Sequence, residues 1–229
     1  MRGVAIVVVA FAGLATAAGA AFATQSPSVR LTAMRNAVAR KHSVHYVTET
    51  SSQGHKVRIV ADVGAGEGIQ RITIANNGQT GPATVIVRGR TAYIRGNSFT
   101  LRAYFGFTKA QAKKYAGKWI AIPHSSPGYA GISAAATFES LLPYLYPQHK
   151  LELFISGKLV GVRGTARFMG ANLLVLLLAP KEGQPLPVEQ YETSPDHPGK
   201  SLMTLSHWNE PVHVTAPHHA VPISSVVGG

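Results

Sequence analysis

Along 31–41 (LTAMRNAVARK), Leu31, Met34 and Val38 recur at helical spacing, which predicts a short helix. The apolar period then drops to two. Val44-x-Tyr46-x-Thr48, Val57-x-Ile59-x-Ala61, Ile72-x-Ile74 and Val85-x-Val87 all alternate, as half-buried strands do. Turn-forming clusters separate them at Ser51 to Gly54, Gly64 to Gly68, Asn76 to Gly81 and Arg88 to Arg90. Thr91 to Arg95 predicts one more short strand before Gly96-Asn97. Connections this short cannot hold helical crossovers, so the strands form an antiparallel meander.

Helical spacing returns over Ser98 to Phe105 and Thr108 to Tyr115, with Thr108 as an expected N-cap. Trp119 to Ile122 predicts a strand that stops at Pro123, followed by a Pro/Gly loop over Ser125 to Ser133. Ala134 to Tyr146 predicts a second helical stretch, interrupted near Pro143, with Phe138, Leu141, Leu142 and Leu145 along one side. Further strands are expected at Lys158 to Met169, Asn172 to Ala179, Pro187 to Glu192 and Leu202 to Ser206. Pro211, Pro217 and Pro222 make the tail from Pro211 to Ser225 extended. The pattern is α+β: a curved antiparallel sheet with helices packed on one side.

The N-terminus has another character. Arg2 precedes the apolar run Val4 to Ala12, and small residues lead to Ala21-Phe22-Ala23, an A-x-A cleavage site. This reads as a secretory signal over 1–23, with an exported chain beginning at Thr24. The rival reading is a retained anchor, since Val4 to Ala23 approaches the about 20 apolar residues that span a bilayer. Its many Ala and Gly residues bury little surface, which favours cleavage.

Charge and composition narrow the chemistry. The formal net charge is +12, and only ten residues are acidic. Single basic residues spaced along strands, such as Arg58, Arg71, Arg88 and Arg95, argue against a nucleic-acid arm. They read first as solvated outer faces of a sheet, and in an exported chain the basic balance otherwise points to an anionic membrane or wall surface. Cysteine is absent, which excludes disulfides, thiolate metal sites, Cys nucleophiles and a lipidated Cys after the signal.

Catalytic patterns are sparse. The ten His residues include His42, His45, His197, His207, His213 and the pair His218-His219, and none has a rigid two-His metal spacing. Asp62 and Asp196 are the two Asp residues available to orient a triad histidine, and no G-x-S-x-G elbow occurs. The eight Glu show no facing pair of the glycosidase kind. Gly64-Ala65-Gly66-Glu67-Gly68 precedes a strand, so it is a hairpin turn without a helix N-terminus for phosphate. The expectation is a non-enzyme with no cofactor and no metal.

What remains is apolar. A sheet face carrying Val57, Ile59, Ile72, Ile74, Val85 and Val87 needs a cover, and the helices offer Phe99, Leu101, Phe105, Phe107, Leu141, Leu142 and Leu145. Either the faces close into an ordinary core or they leave a gap that a lipid chain fills. Periodicity is the same in both cases.

Four segments in order carry a family resemblance. Val87 to Asn97 (VRGRTAYIRGN) resembles a conserved-type hairpin of the LolA-like lipoprotein-carrier superfamily, in its mycobacterial LprG/LppX-type branch. Tyr115 to Pro123 (YAGKWIAIP) is similar to the branch's Gly-Lys-Trp strand. Leu186-Pro187-Val188 resembles a strand start, and Leu205 to Val212 (LSHWNEPV) its Trp-Asn-Glu-Pro segment, followed by Ala216-Pro217 and Val221-Pro222-Ile223.

The resemblance implies a half-open β-barrel closed by helices over 43–225, after a helical lead-in over 24–42. It implies an apolar cavity, no catalytic residues, and a lipid or acyl-chain partner. The apolar pattern of sheet and helices, not the resemblance, gives the expected lining: Val57, Ile59, Ile72, Ile74, Val85, Val87, Phe99, Leu101, Phe105, Leu141, Leu142 and Leu145. No nucleic-acid partner is expected, and the protein should be a monomer. The alternative is a closed-core envelope sensor or interaction module. Many relatives carry a lipidated Cys that this chain lacks, and its Pro/His-rich tail has no counterpart role.

Overall fold

The computed structural model describes residues 25–168, 171–194 and 199–227. The expected signal over 1–23, and the turn holding Asp196 and His197, lie outside the described residues. No described helix is long and apolar enough to cross a membrane.

Helix α1 spans Pro27–Val38, capped by the Ser26 side chain with Pro27 in its first turn. It begins four residues before the expected Leu31, because Ser26-Pro27 is itself a start signal. Five ordered strands follow: β1 (Ser43–Ser52), β2 (His55–Gly64), β3 (Glu67–Asn76), β4 (Gln79–Arg88) and β5 (Thr91–Gly96). All five fall where alternation predicts them. Gln53-Gly54 and Asn77-Gly78 both take positive φ, the backbone of a tight hairpin turn matched to strand twist.

Helix α2 covers Ser98–Ala103, and α3 covers Lys109–Tyr115, closed by a reciprocal capping box between Thr108 and Gln111. Strand β6 (Ile120–Pro123) follows. The expected loop after it contains a single helical turn, α4 (Tyr129–Ile132). The expected helix over Ala134 to Tyr146 is shorter, reduced to α5 (Phe138–Leu141) and a 3-10 turn over Leu142–Tyr144. Thr137 starts it late as N-cap, and Pro143 supplies no donor to prolong it.

Strands β7 (His149–Ser156), β8 (Leu159–Phe168), β9 (Ala171–Pro180), β10 (Glu189–Thr193) and β11 (Gly199–Ser206) complete the second meander. Strand β7 is an addition to the sequence reading. It lies at the sheet edge, exposed along much of both faces, and a register shift between His149 and Glu152 blurs its period. The tail is mostly extended, as expected, but adds a two-residue strand β12 (Val221–Pro222) and one turn α6 (Ser224–Val227).

Among the described residues these form one open sheet of 12 strands, ordered β12-β6-β5-β4-β3-β2-β1-β11-β10-β9-β8-β7. Every pairing is antiparallel except β12 on β6. Three apolar cores lie on one face. Helices α2 and α3 cover β3 to β6, where Ile72, Val85, Ile94, Leu101 and Ile120 meet. Helix α5 and its 3-10 turn cover β1, β2 and β11, and α1 covers β8 and β9 through Leu31 and Met34. The helices therefore line the concave side of a half-open barrel.

Candidate functional site

Strand parity places Val57, Ile59, Ile72, Ile74, Val85 and Val87 on the helix-bearing face, as their alternation requires. Their surroundings differ. Ile72, Ile74, Val85, Val87 and Leu101 are buried together in the core under α2 and α3. Leu141 and Leu145 are buried separately, with Tyr46, Phe138 and Leu205. Val57, Ile59, Phe99, Phe105 and Leu142 are only half-buried. Ile59 packs against both clusters and so marks the seam between them. The twelve expected lining residues thus divide into seven that fill cores and five that are half-buried at core edges, Val57, Phe99 and Phe105 against the first, Leu142 against the second and Ile59 against both.

The seam has polar features that the sequence does not single out. Thr48, opposite Ile59 on β1, has a buried hydroxyl oxygen without a hydrogen-bond partner. A buried hydroxyl in that state costs stability unless a guest satisfies it. Gln190 and Glu192 project from β10 on the same face, in register with Met203 and Ser201 of β11. The Gln190 amide donates to the Tyr144 carbonyl, tying the 3-10 turn to the sheet. Burial raises the Glu192 pKa above the ordinary carboxylate range.

Beside the seam, the Gln70 amide donates to the Tyr46 hydroxyl at 2.8 Å and to the Ala134 carbonyl at 3.2 Å. The Tyr46 hydroxyl in turn donates to the Ala135 carbonyl at 2.8 Å. Burial drives the Tyr46 pKa far up, so the phenol stays neutral and its donor is retained.

The opposite face carries the charged clusters. His45 Nδ1 lies 2.7 Å from Asp62 Oδ1, and Arg71 meets the other Asp62 oxygen at 3.5 Å. Ser206 stands opposite His45 on β11, so Asp62, His45 and Ser206 share one row. No hydrogen bond joins Ser206 to His45 among the described residues. Among the described residues no group of three or more His, Cys, Asp or Glu could hold a metal ion. The Gly64 to Gly68 segment is the tight β2–β3 turn, with Gly64 paired to Glu67.

The tail also acquires a place. His207 and Asn209, both at positive φ, turn the chain out of β11. Pro211 to Thr215 then crosses Ile69, Arg71 and Ile86, enclosing about 300 Å³ beneath. Glu67 accepts the Val214 amide at 3.1 Å and lies 3.8 Å from His213. Farther along this face, at the tips of β1 and β2, a groove of about 680 Å³ opens.

This architecture has solved counterparts. It is similar to LprF from Mycobacterium bovis at a TM-score of 0.54 and 17% identity, covering 84% of this chain and 98% of that one. The fold is LolA-like. The Mycobacterium tuberculosis lipoprotein LppX aligns at a TM-score of 0.48 and 15% identity, over 83% of this chain and 100% of its own. No protein-family profile matches the chain, and no curated protein matches it.

Proposed function

We propose that this protein is a non-catalytic carrier that binds a lipid or lipidated molecule between the sheet and its helices. The observation that carries this reading is the set of half-buried Val57, Ile59, Phe99, Phe105 and Leu142 at the edges of two filled cores, with Ile59 against both. An acyl chain laid there would remove that apolar surface from water. The unpartnered Thr48 hydroxyl offers a polar contact in the same place. Export by cleavage near Ala23 would put the carrier in the cell envelope, without a Cys to bear an anchoring lipid. Its formal charge, +12 for the whole sequence and +11 once Arg2 is removed, would draw it, as a monomer, toward anionic surfaces.

The second reading is a closed-core envelope sensor or interaction module. It is favoured by the tight burial of Ile72, Ile74, Val85, Val87, Leu101, Leu141 and Leu145. Native mass spectrometry of protein purified from its own host, followed by lipid extraction, separates the two. The carrier predicts bound acyl species near unit stoichiometry. A bare mass, together with no uptake of a neutral fluorescent diacylglycerol, selects the closed core.

A further inference from the structure

The groove at the tips of β1 and β2 is lined mostly from the face away from the helices, with Thr50, Val57, Glu192 and Ser201 of the helix-bearing face at its border. Its floor follows from strand register. One row places Lys56, Ser51 and Lys200 side by side across β2, β1 and β11. The next places Arg58, Glu49, Leu202 and Tyr191 across β2, β1, β11 and β10. Thr73 and Ala75 of β3 border the groove while the intervening Ile74 faces the core.

Charge is distributed unevenly here. Arg58 Nε bonds Glu49 Oε1 at 3.2 Å, so that pair is matched. Lys56 and Lys200 have no ion pair with a described residue. With strands about 4.8 Å apart, their main-chain roots stand about 10 Å from each other. Their flexible ammonium groups can converge on one anionic head. Beside them Tyr191 is 40% exposed and Leu202 half-buried, an apolar strip continuous with the cationic row.

We propose that this groove is a second binding site, for a single-chain anionic amphiphile such as a long-chain carboxylate. Its volume of about 680 Å³ falls within the usual range of small-molecule sites. The two unmatched ammonium groups select an anionic head, and the strip of Leu202 and Tyr191 takes the chain. A small inorganic anion would leave that strip wet, and a neutral lipid would leave the lysines unmatched. The lysine row of the groove stands on the face away from the helices, and the seam residue Val57 and Glu192 meet it only at its border.

The test uses the full chain, titrated with a fluorescent long-chain fatty acid and with its methyl ester. Lys56→Ser/Lys200→Ser should weaken carboxylate binding about tenfold, the loss of charge-assisted hydrogen bonds, and leave ester binding unchanged. Tyr191→Ser should weaken both probes. Both substitutions are at accessible positions, and an unchanged melting temperature shows that each variant is folded. Carboxylate binding that is unaltered in the double variant, or absent in the wild type, overturns the proposal. So does displacement by inorganic phosphate at equal concentration, or binding only to phosphatidylglycerol vesicles and not to monomeric fatty acid. Each of these results leaves diacylglycerol uptake at the seam as a separate readout.

Discussion

The Tyr46 hydroxyl stands between two polar partners, accepting from Gln70 and donating to the Ala135 carbonyl. It fastens the chain before α5 to the middle of the sheet. Replacing Tyr46 with Phe strands the Ala135 carbonyl and one Gln70 donor in an apolar surrounding. Urea unfolding should show a loss of about 1–3 kcal/mol, the usual cost of a buried group left unsatisfied. Glu192 gives a pH-dependent prediction. Because burial raises its folded pKa, the folded state holds this proton more tightly than the unfolded chain. Its contribution to stability therefore falls as pH rises from the ordinary carboxylate pKa through the raised folded one. Glu192→Gln should be more stable than the wild type at neutral pH, with the difference shrinking below that window, as read by urea midpoints across pH. Neither role is legible locally. Gln70 appears in the sequence as a polar interruption of a strand, and its partner Ala134 lies 64 positions away.

Among the elements, hairpins were the most legible, since alternation and a two-residue turn specify both strands and register together. Strand β7 is not legible in the sequence, because an edge with little burial contrast leaves little periodicity to read. The stretch from Ala134 to Tyr146 shows the opposite error. Its apolar spacing is helical, yet its capping residue and Pro143 confine the helix to one turn, and tertiary packing of Leu141 and Leu145 does the rest. The tail had no assignable role in sequence, and in the fold it is a strap. Val212 packs against Gly64, where an added Cβ would stand 3.1 Å from the Val212 Cβ. Glu67 holds the strap through the Val214 amide. Glu67→Ala should release it, raising amide exchange about tenfold across 211–215 while exchange in β4 and β5 stays slow.

For the whole molecule, the decisive arrangement is that three cores lie along one curved sheet instead of merging into one. The seam between the first two is where a guest chain would fit, and Ile59 touches both sides of it. Ile59→Trp should abolish diacylglycerol uptake, measured by fluorescence, while the melting temperature holds. A closed core would instead be overpacked and lose about 1–3 kcal/mol of stability. The sequence by itself determined most of the strands, their facing, the apolar set and the absence of cysteine chemistry. Each of these depends on neighbours within a few residues or on composition alone. The tertiary structure decided which apolar residues fill cores and which border a seam, because that depends on how far the helices stand from a curving sheet. It also decided where Lys56 and Lys200 meet: they lie far apart in the chain, and register through β1 brings them into one row.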